Sequence, residues 1–263
     1  MGPRRGRRRV RPRPAAEGHA RLRPLHEALG TRAADARGGA EGRGDRRPHL
    51  QPAHARLPDH ERRRRELPAA REETRMTLPK DWTAAPDLLA DRVILVTGAT
   101  EGIGRCAAKT FAAHGATVIA VARTVPRLES LYDEIVGAGH PEPVIQGVDL
   151  AGLTMNDCRQ LADAMGEAFG RVDAVLHNGG LLGDRVPLDR FDPETWRRVM
   201  AANLDACFLL TQALFPWLEH GTEPRVIFTT SGAGIRPRAY WGAYSVSKAG
   251  IEALMRVFAD ENE

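Results

Sequence analysis

Residues 76–263 predict an α/β fold, a doubly wound parallel sheet with helices on both faces. Apolar runs typical of buried strands alternate there with segments of helical periodicity. A glycine-rich turn joins the first apolar run to the first helical segment, as in a βαβ unit. Strands that alternate with helices are parallel, because each connection has to cross the sheet.

Residues 1–75 differ sharply in composition from this part. They contain 21 Arg, no Lys, Phe, Trp, Tyr, Ile, Cys or Ser, and 10 acidic residues, hence a net charge of +11. The remainder has 17 basic and 24 acidic residues, hence −7. So few large apolar side chains cannot offset chain entropy, and we expect a disordered extension, with Met76 as the start of the folded protein. Nucleic-acid binding through residues 62–65 is the disfavoured alternative, because no aromatic side chains are present for stacking.

A cytoplasmic location without a membrane partner is expected. No run approaches the roughly 18 apolar residues of a transmembrane helix, and the N-terminus lacks an apolar export segment. Cys106, Cys158 and Cys207 have no companions at metal-ligand spacing. They are predicted to be buried small side chains in a reducing compartment.

Each element of the predicted fold follows from a local pattern. Uninterrupted apolar runs indicate strands, recurrence of apolar residues at helical spacing indicates helices, and Gly115 and Gly137 are typical helix ends. Asn203 is expected to interrupt a long helical stretch. In chain order the predictions are strand 93–97, helix 106–113, strand 116–122, helix 128–136, strand 143–148, helix 156–169, strand 172–176, helices 191–202 and 204–218, and strand 225–230.

The glycine-rich turn gives the first functional prediction. Gly98, Gly102 and Gly104 follow the strand Val93–Thr97 in the spacing G-x-x-x-G-x-G. Such glycines allow a sharp turn and a close approach to phosphate, and a helix N-terminus offers unpaired N–H groups. The expected ligand is a pyrophosphate; a tight strand-to-helix connection without a ligand is the alternative.

The residue after the second strand predicts the dinucleotide. Dinucleotide folds place an acidic residue here for a free ribose 2′-OH, or a basic one for a 2′-phosphate. Ala122 and Arg123 occupy this point. Arg123 therefore predicts NADP(H) rather than NAD(H), because guanidinium pairs well with phosphate. A solvated surface arginine is the alternative.

Two further polar residues stand at strand ends, and each allows two interpretations. Asp149 follows the third strand and is either a ligand contact or a cap of the next turn. His177 follows the fourth strand and is either an acid–base group or, as we favour, a hydrogen-bonding group within the sheet edge.

The last part of the chain contains a set of residues suited to proton transfer. Tyr244 and Lys248 are four residues apart on a predicted helix and share a face. Ser231 follows the fifth strand, at the sheet edge where ligands gather. A neighbouring ammonium favours the ionised form of a phenol, and a hydroxyl can orient a carbonyl oxygen. A lone Y-x-x-x-K would be commonplace, so the prediction depends on the complete set.

That set, in its order along the chain, resembles the short-chain dehydrogenase/reductase family in its ordinary single-domain form. Three sequence segments are most similar to the bacterial YciK-like branch of this family: HNGGLLGD, ANLDACFLLTQAL and WGAYSVSK. The Asn178-Gly179-Gly180 segment is an imperfect form of the family's N-A-G signature. The residues that carry the resemblance are Thr97, Gly98, Gly102, Ile103, Gly104, Asn178, Asn203, Ser231, Tyr244 and Lys248.

The resemblance implies a Rossmann-like sheet of order 3-2-1-4-5 and an NADP-linked oxidoreductase for a small carbonyl or alcohol substrate. It implies a homo-oligomer formed through helix 204–218 and the Tyr244 helix. Its catalytic residues would be Ser231, Tyr244, Lys248 and Asn203, the last through a water held by its main chain. Its cofactor contacts would be Thr97, Gly98, Gly102, Ile103, Gly104, Arg123, Asp149 at the adenine, Asn178, Tyr244 and Lys248.

The end of the chain departs from the family pattern. Relatives continue past the Tyr244 helix with further strands and a segment that covers the substrate, whereas this sequence stops at Glu263. We therefore expect a C-terminally incomplete sheet whose fifth strand has an open edge. The alternative function is a nucleotide-binding module with weak or no catalysis.

Overall fold

The computed structural model describes residue 79 and residues 81–262. The predictions made for residues 1–75, namely disorder or the alternative of nucleic-acid binding, concern a part of the chain outside the described residues. In the short stretch before Ala85, the Trp82 amide donates to the Pro79 carbonyl at 3.0 Å.

From Ala85 onward the chain alternates strands with helices, as predicted. The strands are β1 (Val93–Thr97), β2 (Thr117–Ala122), β3 (Val144–Gly147), β4 (Ala174–His177) and β5 (Arg225–Phe228). The helices are α1 (Gly102–Ala113), α2 (Val125–Gly137), α3 (Met155–Phe169), α4 (Pro193–Met200), α5 (Ala206–Leu218), α6 (Gly232–Ile235) and α7 (Gly242–Glu261), with 3-10 turns at Leu150–Gly152 and Leu188–Arg190.

The five strands form one parallel sheet in the order β3-β2-β1-β4-β5. Leu95 of β1 lies in register with Ile119 of β2 and with Val175 of β4. This confirms the doubly wound α/β fold and its strand order. Because the order reverses at β1, the carboxyl ends of β1 and β4 open a crevice for a ligand. Within the described residues β5 pairs only with β4, and Ile227 on it is 49% exposed.

Each face of the sheet has its own apolar core, since successive strand residues point to opposite faces. On one face, Leu95 and Val175 pack with α3 and α5. On the other, Val96 and Val118 pack with α1 and α2. The sheet is therefore covered on both sides, which explains why its central strands are continuous apolar runs.

A buried carboxylate ties the amino ends of β1 and β4 together. Asp173 is 3% exposed and accepts hydrogen bonds from the amides of Val93 (2.8 Å) and Thr222 (2.7 Å). Arg92 and Arg171 pair with it at 3.4 and 3.1 Å. This network holds the strand ends opposite to those that form the site.

The expected interruption at Asn203 is a change of helix type. The five residues Ala201–Asp205 form a π-turn between α4 and α5, so a continuous helix runs from 193 to 218. Its length and composition alone would allow it to cross a membrane, but half of its apolar window is buried inside the protein. It packs on α3 and β4 as a core helix.

The prediction of three buried cysteines is wrong for Cys106, which is exposed. The buried positions of α1 are Gly104, Ala108 and Ala112, and residue 106 lies on the opposite side of the helix. Cys158 and Cys207 are buried as predicted, and burial raises the pKa of their thiols to about 11 and about 12. The described residues contain no cluster of three or more potential metal ligands.

Candidate active site

The glycine turn lies at the carboxyl end of β1 and leads into α1. A Cβ on Gly104 would lie 2.2 Å from the carbonyl oxygen of Gly98, so the helix can approach the turn only with glycine there. Gly102 has a φ of +53°, and no atom beyond its chain neighbours and its own helix backbone lies within 4 Å of where its Cβ would be. This open cradle at a helix N-terminus, with no side chain in the way, fits a pyrophosphate.

Thr97 and Asn178 lock the turn to the neighbouring strand. The Thr97 hydroxyl accepts from the amides of Asn178 and Gly179, both at 3.0 Å. The Asn178 amide nitrogen donates to the carbonyls of Thr97 (3.3 Å) and Gly98 (3.4 Å), and its oxygen accepts from the Thr229 hydroxyl at 3.3 Å. The tips of β1, β4 and β5 are thus joined by side chains, which fixes the floor of the crevice.

A cleft of about 260 Å³ opens above this floor. Of the predicted cofactor residues, Gly98, Arg123, Asp149 and Asn178 line it. Thr97 and Gly104 are buried, whereas Gly102 and Ile103 are exposed on the first turn of α1. The remaining lining residues are Thr100, Glu101, Ala122, Thr124, Arg127, Leu150, Gly179, Gly180, Leu181 and Ala202.

Two charged residues of this cleft were missed in the sequence analysis. Arg127 lies four residues after Arg123 on α2, and its guanidinium pairs with the Glu101 carboxylate of the glycine turn at 2.6 Å. Arg123 precedes α2, which begins at Val125, so helical spacing does not relate the two arginines. The pairing of Arg127 with Glu101 depends on the tertiary fold.

Asp149 occupies the far end of the cleft, at the carboxyl end of β3. Its carboxylate accepts from the Ala151 amide at 3.2 Å and caps the short turn Leu150–Gly152. The capping interpretation is therefore correct for the side chain, and its contact with an adenine stays a prediction.

Lys248 and Tyr244 lie side by side on α7. The Lys248 ammonium is 5.8 Å from the centroid of the Tyr244 ring and donates to the Thr229 carbonyl at 2.7 Å. It also lies 3.8 Å from the position that a Cβ on Gly180 would take, next to a residue that lines the cleft, although neither Lys248 nor Tyr244 lines the cleft itself. The Tyr244 phenol makes no hydrogen bond with the described residues.

Burial sets the electrostatics of this pair. Lys248 is only 4% exposed, and desolvation lowers the pKa of its amine, an effect that Cys207 partly opposes. A cation held in so dry a position interacts more strongly with a neighbouring phenol than it would in water. The side chain is therefore suited to favour the phenolate form of Tyr244.

Ser231 caps α6, which packs against the same helix. Its hydroxyl oxygen accepts from the Ala233 amide at 3.2 Å, and within the described residues its proton is donated to no acceptor. A Cβ on Gly234 would meet the Lys248 backbone at 2.8 Å, so α6 lies directly on α7. This contact brings the Ser231 segment to the helix that carries Tyr244 and Lys248.

Asn203 organises the back of the site through its side chain. It is fully buried in the π-turn, accepts from the Leu181 amide at 2.6 Å and donates to the Leu181 carbonyl and the Ser247 hydroxyl, both at 2.9 Å. Its main-chain carbonyl accepts from the Cys207 thiol at 3.1 Å. Asn203 thus ties the loop after β4 to the Tyr244 helix.

His177 belongs to the sheet and not to the acid–base machinery. Its Nε2 lies 2.8 Å from the Thr211 hydroxyl, and its ring stacks on Phe228 with centroids 4.9 Å apart. Burial lowers its pKa to about 3, so it is neutral at ordinary pH. This agrees with the favoured interpretation from the sequence.

Comparisons with known proteins agree with the geometry. The family model for short chain dehydrogenase matches residues 92–263. The uncharacterised oxidoreductase YciK of Escherichia coli K12 is 45% identical over 175 residues, which cover 66% of this chain and 69% of that protein. The 3-oxoacyl-[acyl-carrier-protein] reductase FabG of Thermotoga maritima is 30% identical over 174 residues, which cover 66% of this chain and 69% of that protein.

Solved structures show the same similarity. A short chain dehydrogenase from Pseudomonas syringae superimposes with a TM-score of 0.68 at 45% identity, covering 70% of this chain and 76% of that one. A short chain dehydrogenase from Escherichia coli CFT073, complexed with NADPH, superimposes with a TM-score of 0.66 at 45% identity, covering 68% of this chain and 75% of that one. The chain therefore belongs to the short-chain dehydrogenase/reductase family, whose members are oxidoreductases that act on CH–OH or C=O groups.

Proposed function

We propose that the chain is an NADP(H)-dependent oxidoreductase that interconverts a small carbonyl compound and its alcohol, with Tyr244 as the acid–base group. The observation that carries this proposal is the buried Lys248 ammonium, 5.8 Å from the Tyr244 ring and next to Gly180, which lines the cleft. The ammonium also anchors α7 to the Thr229 carbonyl, but a buried cation beside a phenol that has no hydrogen-bond partner among the described residues is suited to acid–base chemistry.

The residues of the cleft fit a dinucleotide. Gly98, Gly102 and the N-terminus of α1 would hold the pyrophosphate, and Asp149 would lie at the adenine. Arg123 and Arg127 would bind a 2′-phosphate, and the NADPH complex of the Escherichia coli relative supports the choice of NADP(H). When bound, the nicotinamide donates or accepts the hydride.

Proton transfer is the part of the reaction that falls to this chain. During reduction, Ser231 would donate a hydrogen bond to the carbonyl oxygen and hold it near Tyr244. The phenol would then donate its proton to the developing alkoxide, and Lys248 would stabilise the phenolate that remains. During oxidation the same groups would act in reverse. Asn203 would position the loop and helix through its contacts with Leu181 and Ser247.

The assembly is proposed to be a homo-oligomer, and the folded domain to span residues 76–263 in the cytoplasm. Phe208 on α5 and Val246 and Val257 on α7 are 47%, 45% and 55% exposed, as expected of a surface that a second copy covers. Sedimentation of the unaltered protein and of a Phe208→Asp variant tests this, and a monomer in both cases contradicts it.

The function is tested by titration and turnover with both nicotinamide cofactors. We expect tight NADPH binding, weaker NADH binding and NADPH-dependent reduction of members of a dicarbonyl panel. Binding without turnover would support the alternative of a nucleotide-binding module. Absence of NADPH binding would overturn both.

A further inference from the structure

Near Tyr244, a guanidinium is held on an aromatic ring. Trp241 immediately precedes α7, and its ring centroid is 5.9 Å from that of Tyr244. The Arg185 guanidinium, from the loop after β4, lies over the Trp241 ring at 5.3 Å. It is therefore no more than about 11 Å from the Tyr244 ring.

Arg185 has no carboxylate partner among the described residues. Several arginines of the described chain are ion-paired within 4 Å, including Arg92, Arg105, Arg127 and Arg171. Among the residues that the structure describes, the Arg185 side chain makes no hydrogen bond or ion pair and has its ring contact with Trp241, although the neighbouring Asp184 partly offsets its charge at longer range.

The surrounding segment adds further positive charge. Residues 231–241 contain Arg236 and Arg238 and no acidic residue, and both arginines are exposed and unpaired within the described chain. Residues 76–263 as a whole carry −7, whereas this segment, which leads into the Tyr244 helix, carries +2. A locally positive segment attracts anions.

The contact with Trp241 orients Arg185 without using its donors. A cation over an aromatic face is held through the ring, so the five N–H groups of the guanidinium stay free at its edge. That edge matches a carboxylate in a bidentate pair. Holding the guanidinium in place beforehand also reduces the entropy lost when an anion binds.

We propose that the substrates are oxo acids, with Arg185 binding the carboxylate while Tyr244 acts on the carbonyl or alcohol oxygen. The inference rests on the proposed function and names the substrate class of that site. Arg185 determines specificity, whereas Arg236 and Arg238 strengthen the attraction at longer range.

The test compares each oxo acid with its own methyl ester. With NADPH present, kcat/KM is measured for levulinate against methyl levulinate and for pyruvate against methyl pyruvate. We expect the preferred acid to exceed its ester about ten- to a hundredfold, the range for a charged hydrogen-bonded pair. In Arg185→Gln this ratio should fall to about one, mainly through KM, with the ester unchanged.

Arg198→Gln is the matched control, because Arg198 is also exposed and unpaired within the described chain but lies on α4. It removes the same charge and should keep the preference for the acid. Arg185→Lys should restore the preference in part, since lysine supplies the charge without the planar fork. A preference lost equally in Arg185→Gln and Arg198→Gln would overturn the role of Arg185.

A binding measurement separates this inference from the proposed function. Binding of levulinate is measured by calorimetric titration with NADP⁺ present, in the unaltered protein and in Arg185→Gln. Binding that needs Arg185 supports the inference even if turnover is absent. Equal binding in both proteins, or equal turnover of acid and ester, contradicts it and leaves NADPH-dependent reduction standing.

Discussion

At the scale of single residues, the cleft contains an acid where an anion is proposed to bind. Glu101 lies in the glycine turn and pairs with Arg127 at 2.6 Å, and both side chains are exposed. A 2′-phosphate would compete with Glu101 for Arg127 and would be repelled by the carboxylate. Cofactor affinity therefore depends on Glu101 as well as on Arg123 and Arg127.

Removing the charge of Arg123 or Arg127 should change NADPH affinity in the opposite direction from removing the charge of Glu101. Arg123→Gln and Arg127→Gln should each weaken NADPH binding about tenfold or more, with little effect on NADH, because each removes a charged hydrogen bond to phosphate. Glu101→Gln should tighten NADPH binding about two- to fivefold, the range of an exposed pair. Titration with both cofactors measures this. Arg159→Gln, at an exposed position of α3, is the control and should change neither.

His177 provides a second prediction at this scale, concerning stability and pH. Its folded-state pKa is about 3, below the ordinary 6.5, because the imidazole is buried. As the pH falls below 6.5, the unfolded chain takes up a proton that the folded chain does not, so stability falls down to about pH 3. His177→Asn should reduce this loss, measured by urea unfolding between pH 7 and pH 4. The control, His220→Gln at an exposed histidine, should retain the full loss of stability. Identical dependence of stability on pH in His177→Asn and in the unaltered protein would contradict the account.

At the scale of elements, the site depends on a close contact between the turn after β1 and the first residues of α1. Gly104 allows this contact, because a Cβ would meet the Gly98 carbonyl at 2.2 Å and the Asn178 amide at 2.5 Å. A methyl group there would push the helix from the turn and break the link to β4.

Gly104→Ala should therefore lower the free energy of unfolding by about 1–3 kcal/mol, as overpacking does, and abolish NADPH binding. The matched control is Gly137→Ala at the end of α2, where a Cβ meets nothing within 4 Å. It should raise the free energy of unfolding by up to about 1 kcal/mol, since alanine favours helix. Denaturant unfolding with NADPH titration tests both. Equal effects of the two substitutions would show that close packing is not the reason for the glycine.

At the scale of the whole molecule, the parts that the sequence predicts are those with a strong local signal. β1 and β2 are apolar throughout because both faces of the sheet are covered, and they lie where expected to within one residue. The paired position of Tyr244 and Lys248 follows from helical spacing alone.

The missed features depend on residues brought together by the fold. The Asp173 network, the Glu101–Arg127 pair and the contact of Arg185 with Trp241 each join side chains from separate segments, for which one sequence gives no pattern. The sequence predicts an interruption at Asn203 where the structure has a π-turn, because a polar residue in an apolar helix gives the same pattern in both cases. In the structure the Asn203 side-chain amide forms hydrogen bonds with Leu181 and Ser247, so this polar residue can be buried within a continuous helix.

The central claim is that Tyr244, beside the buried Lys248, transfers the proton. Its most direct test is the NADPH-dependent kcat of Tyr244→Phe on an accepted carbonyl substrate, with Tyr240→Phe as the matched control, since Tyr240 is 57% exposed four residues earlier. We predict that kcat falls about 10²- to 10⁴-fold in Tyr244→Phe while the variant still binds NADPH, and that Tyr240→Phe keeps its activity. Equal kcat in the two variants would contradict the account.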